Sequence, residues 1–81
     1  MALAREDLIE YLAKKGRVDQ AKIEDSTPLF SSGLIDSFAM VDMLVFLEKH
    51  TGTKMGPEDI DLDNLDSVER ILRFAASRQA G

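Results

Sequence analysis

The chain has 81 residues, enough for one domain with a small core and little stability in reserve. It contains no cysteine, which excludes disulfides, thiolate metal sites and thiol catalysis by its own side chains, so any sulfur chemistry has to come from an added group. Ten basic against fifteen acidic residues give a formal charge of -5, which disfavours nucleic acid and anionic membrane surfaces as partners. Arg5, Glu6, Asp7 and Glu10 interrupt the N-terminal apolar residues, so this stretch does not read as a signal peptide. No later run is long enough to span a bilayer, and a cytoplasmic, monomeric protein is expected.

A first helix is predicted from about Leu3 to Lys15, with Leu8, Tyr11 and Leu12 on its apolar face, Ile9 at the margin and Lys14 and Lys15 in the last turn. Gly16 ends it. Arg17 to Ile35 has no sustained period and carries Ser26, Thr27, Pro28, Ser31, Ser32 and Gly33, which reads as a long loop anchored by Ile23, Leu29, Phe30, Leu34 and Ile35. Phe38 to His50, free of glycine and proline and stopped at Thr51-Gly52, is a second helix. Met55 to Asn64 is a second loop with room for one short helical turn. The last helix is expected to start near Asp66 or Ser67, with Asp66 and Glu69 approximating a capping box and Val68, Ile71, Leu72 and Ala75 forming its apolar face. Residues 77–81 lose the period and are expected to fray. The result is an all-α fold, a small four-helix bundle of three main helices plus one short one, occupying residues 1–81 as a single domain.

The second helix has apolar residues on two sides. Met40, Met43, Leu44 and Leu47 share one side, and Phe38, Val41 and Val45 share nearly the opposite side, beside Asp42 and Lys49. One core cannot use both. Either the second stripe meets a partner, or the bundle wraps the helix on most sides.

Asp36-Ser37-Phe38 places a hydroxyl at the first turn of this helix. Asp and Ser are both preferred helix caps, so a purely structural role is open, and a Ser37 cap would be worth about 0.5 to 2 kcal/mol. The free amides and positive dipole end at that turn also favour a phosphate. As a nucleophile Ser37 lacks a base, because His50, the sole histidine, is thirteen residues further along the helix, roughly 20 Å away. His50 reads as an exposed residue near a helix C-terminus. No catalytic residue is assigned, and Ser37 is better read as a substrate for another enzyme.

Asp59, Asp61 and Asp63 alternate like the opening of a calcium loop, but Asn64, Asp66 and Arg70 stand where that loop wants glycine, an apolar residue and a bidentate glutamate. The segment reads as a solvated acidic loop, and no metal ligand is assigned.

In order and spacing, Asp25-Ser26-Thr27-Pro28-Leu29-Phe30, Gly33-Leu34-Ile35-Asp36-Ser37-Phe38 and Leu47-Glu48-Lys49-His50-Thr51-Gly52 resemble the acyl and peptidyl carrier proteins. Pro57-Glu58-Asp59-Ile60 and Leu65-Asp66-Ser67-Val68 extend the resemblance over nearly the whole chain. It implies a 4'-phosphopantetheine arm, moved from coenzyme A onto Ser37 by a phosphopantetheinyl transferase that recognises Asp36. It also implies that Phe38, Val41, Asp42, Val45 and Glu48 meet partner enzymes, while the arm's thiol supplies the chemistry a cysteine-free chain lacks. Ala39 and Lys49 break the dense acidic face of fatty-acid-synthesis carriers, and Thr51 replaces a common phenylalanine. Leu34-Ile35-Asp36-Ser37-Phe38 is closer to stand-alone D-alanyl or aminoacyl carriers, loaded by an adenylate-forming acyl or aminoacyl ligase and unloaded by a downstream acyl-transfer enzyme. The alternatives are a fatty acyl or polyketide-type carrier and an unmodified helical interaction module. An enzyme is the weakest reading, since no nucleophile has an adjacent base.

Overall fold

The computed structural model describes residues 3–78. Its helices are α1 (Arg5–Gly16), α2 (Ala39–Thr51), a single turn α3 (Leu62–Leu65) and α4 (Val68–Arg78), with 3₁₀ turns at Gln20–Lys22 and Pro57–Asp59. There is no strand among the described residues. The fold is the expected helical bundle with a long first connection, which holds a 3₁₀ turn of its own.

One apolar cluster joins the four α-helices. Leu8, Ile9, Leu12 and Ala13 of α1 meet Met40, Met43, Leu44 and Leu47 of α2 and Val68, Ile71, Phe74 and Ala75 of α4, with Leu65 of α3 fully buried. Two positions differ from the periodicity. Ile9 belongs to the core while Tyr11 is only half-buried, and Phe74 fills the place expected for Leu72, which lies at the margin. In both cases the buried arc is the one that a second helix covers, and the displaced residue falls just outside it.

Several helix ends also depart from the expected chemistry. Gly16 is the last residue of α1, and the left-handed cap is Arg17, at φ 56°. Gly16 is small for another reason: a Cβ there would lie 3.0 Å from Ile35 Cγ1 and 3.1 Å from the Leu34 carbonyl oxygen. The glycine lets the first loop close onto α1. Gly52 does end α2 as expected, at φ 72°, with its amide on the Glu48 carbonyl.

Asp66 does not cap α4. It follows α3, and Ser67 takes the capping role, its Oγ accepting from the Arg70 amide at 3.2 Å. α4 runs through Ser77 to Arg78, two residues past the apolar period, while residues 79–81 of the expected frayed tail lie outside the described residues. Arg78 is held by an ion pair to Asp59, and its carbonyl accepts from Thr53 Oγ1 at 2.6 Å. Asp59 is therefore buried rather than solvated, with its other oxygen taking the Gly56 amide at 3.0 Å.

Gly16→Ala tests the close approach. Alanine is the better helix former by about 1 kcal/mol, yet the contact to a backbone oxygen should reverse that sign and destabilise by about 1–3 kcal/mol, read as a lower melting temperature. Arg17→Gly, relieving a left-handed non-glycine residue, should not lower it.

Candidate functional site: the Ser37 turn

The long loop reaches α2 through a series of pins. The Asp66 carboxylate accepts from the Phe30 amide at 2.8 Å, the Ser31 amide at 3.0 Å and the Ser31 hydroxyl at 2.7 Å. The Leu29 amide donates to the Asp66 carbonyl at 2.7 Å, and the Glu69 amide to the Asp25 carbonyl at 3.1 Å. Ile23, Leu29, Phe30 and Ile35 are buried beneath these contacts, with Leu34 half-buried. The Ile35 amide then donates to the Leu29 carbonyl at 2.9 Å, which fixes the chain immediately before Asp36.

Burial pushes the Asp66 carboxyl up, but the hydrogen bonds from Ser31, Phe30 and Leu29 together outweigh it and hold the group below the usual carboxylate range. Asp66 is the site-positioning residue that sequence reasoning missed. An Asp-Ser pair before a helix signals a cap, and nothing local reveals a partner more than thirty residues away.

At the turn itself, Asp36 accepts the Phe38 amide on Oδ1 at 2.9 Å. The Ala39 amide reaches the Asp36 carbonyl, the Met40 amide the Ser37 carbonyl and the Val41 amide the Phe38 carbonyl, at 2.9, 3.0 and 3.3 Å. The helix thus opens with a tight i to i−3 pattern. Neither Asp36 nor Ser37 caps α2 with its side chain: the N-cap residue is Phe38, whose amide the Asp36 carboxylate accepts in a turn just before the helix. The first-turn amides are already committed, so a phosphate here would rely on the dipole and on the amides of Asp36 and Ser37, which have no partner among the described residues.

Ser37 is exposed, and its Oγ makes no hydrogen bond among the described residues. The turn that carries it is held by the Phe38 amide on Asp36 and by the Ile35 amide on Leu29. His50 is half-buried instead of exposed, its ring tilted against Phe46 at 4.5 Å, so it is not part of this site.

The two faces of α2 separate as the stripes suggested. Phe38 is 83%, Val41 57% and Val45 48% exposed, while Met40, Met43, Leu44 and Leu47 are buried. The two acids predicted beside the stripe are partly engaged by the chain. Asp42 pairs with Lys15 of α1 at 2.9 Å, and Glu48 Oε2 accepts the Met55 amide at 2.7 Å. Between α2 and the segment after it, an open groove of about 350 Å³ is lined by Val41, Leu44, Val45, Met55, Pro57 and Ile60. No group of three or more His, Asp or Glu side chains is arranged to hold a metal among the described residues: Asp61 caps α3 through the Asp63 amide, and Asp63 pairs with Arg70 at 3.6 Å.

This arrangement is an exposed, unbonded serine on a pinned turn, next to an apolar surface. The family described by the phosphopantetheine attachment site matches residues 6–74. The chain belongs to this family. It is a carrier protein whose cofactor is 4'-phosphopantetheine. Among curated proteins it is similar to the D-alanyl carrier protein of Bacillus velezensis, 26% identical over 68 residues that span 84% of this chain and 87% of the relative. No solved structure gives a significant match. The residues at the turn fit the cofactor, since its phosphodiester needs an accessible hydroxyl and open solvent, and both are present at Ser37.

Asp66→Asn should lower stability at neutral pH by about 0.5–1.5 kcal/mol, because the carboxylate is largely open to solvent and asparagine keeps one acceptor oxygen. Because the folded pKa is depressed, this advantage of the wild type is full above the unfolded value near 3.8 and is lost as pH falls through the lower folded value. Denaturation curves of the two proteins should therefore converge in strong acid.

Proposed function

We propose that Ser37 carries the phosphopantetheine arm and that the chain holds an acyl or aminoacyl group on it as a thioester, loaded by an adenylate-forming ligase and presented to an acyl-transfer enzyme. The observation that carries the assignment is the free, exposed Ser37 Oγ at the start of α2. A phosphodiester there displaces no internal hydrogen bond. The arm's thiol supplies the thioester chemistry, and the chain's part is to hold its point of attachment still.

In this reading the protein is a substrate of its partners, a reading supported by Ser37 having no hydrogen-bonded base among the described residues. Asp36 has two tasks, bracing the turn through the Phe38 amide and offering a carboxylate to the phosphopantetheinyl transferase. Phe38, Val41 and Val45, with Asp42 and Glu48 beside them, form the surface that partner enzymes meet. Similarity to a D-alanyl carrier supports an aminoacyl cargo over a fatty one, as does the engagement of Asp42 and Glu48 within the chain.

Intact mass after incubation with coenzyme A and a broad-specificity phosphopantetheinyl transferase should rise by one phosphopantetheine unit in the wild type and not at all in Ser37→Ala. Since Ser37 Oγ has no hydrogen bond among the described residues, that variant should keep its melting temperature. An equal mass gain in the variant would move the attachment site elsewhere. Asp36→Asn, which can still accept the Phe38 amide, should fold normally and be modified more slowly, separating the charge from the turn.

Val41→Asp or Val45→Asp should impair loading by the ligase with little change in melting temperature, because both side chains are already about half exposed or more. Loading should also respond weakly to ionic strength, as expected for a docking surface built on apolar contact. A collapse in loading efficiency between low and physiological salt, reproduced by neutralising Asp42 and Glu48, would instead assign the chain to acidic-helix fatty acyl carriers.

A further inference from the structure

The groove between α2 and the segment after it lies in line with Ser37. Eleven residues separate Ser37 from Glu48, three helical turns and about 20° more, so with the helix continued back through the Ser37 turn, Ser37, Val41, Leu44 and Glu48 follow one another down a single face. The last three line the groove, with Met55, Pro57 and Ile60 across from them. Its far wall is fastened in place: the Asp59 carboxylate takes the Gly56 amide at 3.0 Å and pairs with Arg78, whose carbonyl accepts from Thr53 Oγ1. The two walls are joined at Glu48, where Oε2 accepts the Met55 amide at 2.7 Å.

Glu48 is the one charged side chain in this lining, and it forms no ion pair among the described residues. Its second oxygen, Oε1, accepts no hydrogen bond among them either. A half-buried carboxylate between apolar walls attracts a cation more strongly than one in open solvent, because less water screens it. An aminoacyl thioester supplies such a cation, since its α-amine is largely protonated near neutrality. About seventeen bonds lie between Ser37 Oγ and that nitrogen on a phosphopantetheine arm, and at the extension per bond of a polypeptide backbone they reach about 19–20 Å. The path along α2 from Ser37 to Glu48 is roughly 17 Å. The extended arm therefore ends where the carboxylate stands.

Resting on the reading that Ser37 carries the arm, we infer that Glu48 selects an aminoacyl cargo: the loaded arm lies along Val41 and Leu44, and its terminal ammonium pairs with the Glu48 carboxylate. A neutral acyl group of the same size would find the apolar walls but leave Glu48 without a partner, and an anionic one would be repelled. Val41 and Val45 also belong to the stripe on which partner enzymes are proposed to dock, so docking would displace the cargo from the groove toward the partner.

The test loads the full chain directly from coenzyme A analogues with a broad-specificity phosphopantetheinyl transferase, so no cognate ligase is needed. Three arms are compared, ending in alanyl, in propionyl and in the free thiol, the first two joined by an amide in place of the thioester so that they do not hydrolyse. Intact mass confirms each loading, and nuclear magnetic resonance then follows the Met55 amide and the Val41 and Val45 methyl groups relative to the free-thiol form. The alanyl arm should shift these signals at least about twofold more than the propionyl arm, and the excess should shrink as salt is raised. Glu48→Gln keeps an acceptor for the Met55 amide, so it should hold the wild-type melting temperature while its alanyl and propionyl spectra become alike. Equal shifts from the two arms in the wild type, no shift from either, or an alanyl excess that survives Glu48→Gln would each overturn the inference, and the first two are read without the variant. Absence of any mass gain would overturn the Ser37 reading and this inference with it, and is seen before any spectrum is recorded.

Discussion

The Asp66 carboxylate is the contact on which the geometry of the Ser37 turn depends. The connection from α1 to α2 is long for so small a domain, and ordering it has a conformational cost of about 1–2 kcal/mol for each residue fixed. Burial of Ile23, Leu29, Phe30 and Ile35 offsets part of this cost but is not directional. Direction comes from Asp66, which takes the Phe30 and Ser31 amides and the Ser31 hydroxyl on one carboxylate. The Leu29 carbonyl then receives the Ile35 amide, and Asp36 receives the Phe38 amide. An uninterrupted series of bonds thus runs from the α3–α4 junction to the turn that presents Ser37. The short helix α3 takes its importance from this, since it sets where Asp66 stands.

Much of this was legible in the sequence because it is written locally. Helix periods, the stop at Gly52, the apolar anchors of the first loop and the two stripes of α2 each depend on residues a few positions apart. What was not legible depends on pairs far apart in the chain. Asp66 looked like a cap because capping is what an acid before a helix usually does, and its partners at Phe30 and Ser31 have no signature of their own. Asp59 looked solvated for the same reason, and only the end of α4 supplies its cation. Gly16 was read correctly as marking the end of α1, but for its backbone freedom, whereas the structure uses its missing side chain.

The turn at Ser37 illustrates how one residue can be read two ways and resolved by its neighbour. Ser and Asp are near-equal caps, so the sequence leaves either able to close the helix. Once Asp36 takes the Phe38 amide, Ser37 is relieved of structural duty and its hydroxyl faces solvent. The Asp36 carboxylate braces the turn through the Phe38 amide, so the backbone there does not lean on the Ser37 side chain, whose hydroxyl has no hydrogen bond among the described residues to lose.

The exposed stripe of Phe38, Val41 and Val45 runs against the tendency of a small domain to hide its apolar residues, and the other side of the same helix explains why the domain tolerates it. Met40, Met43, Leu44 and Leu47 already fill the interior across α2, so folding does not need the outer stripe. Aggregation is opposed by the charge of -5 and by the flanking Lys49, Asp42 and Glu48. Of these, Asp42 and Glu48 also tie α2 to α1 and to the segment after it. The acids that keep the stripe soluble therefore also hold its helix in place, which leaves the three apolar side chains as the freest part of α2 and the part a partner can use at least cost to the fold.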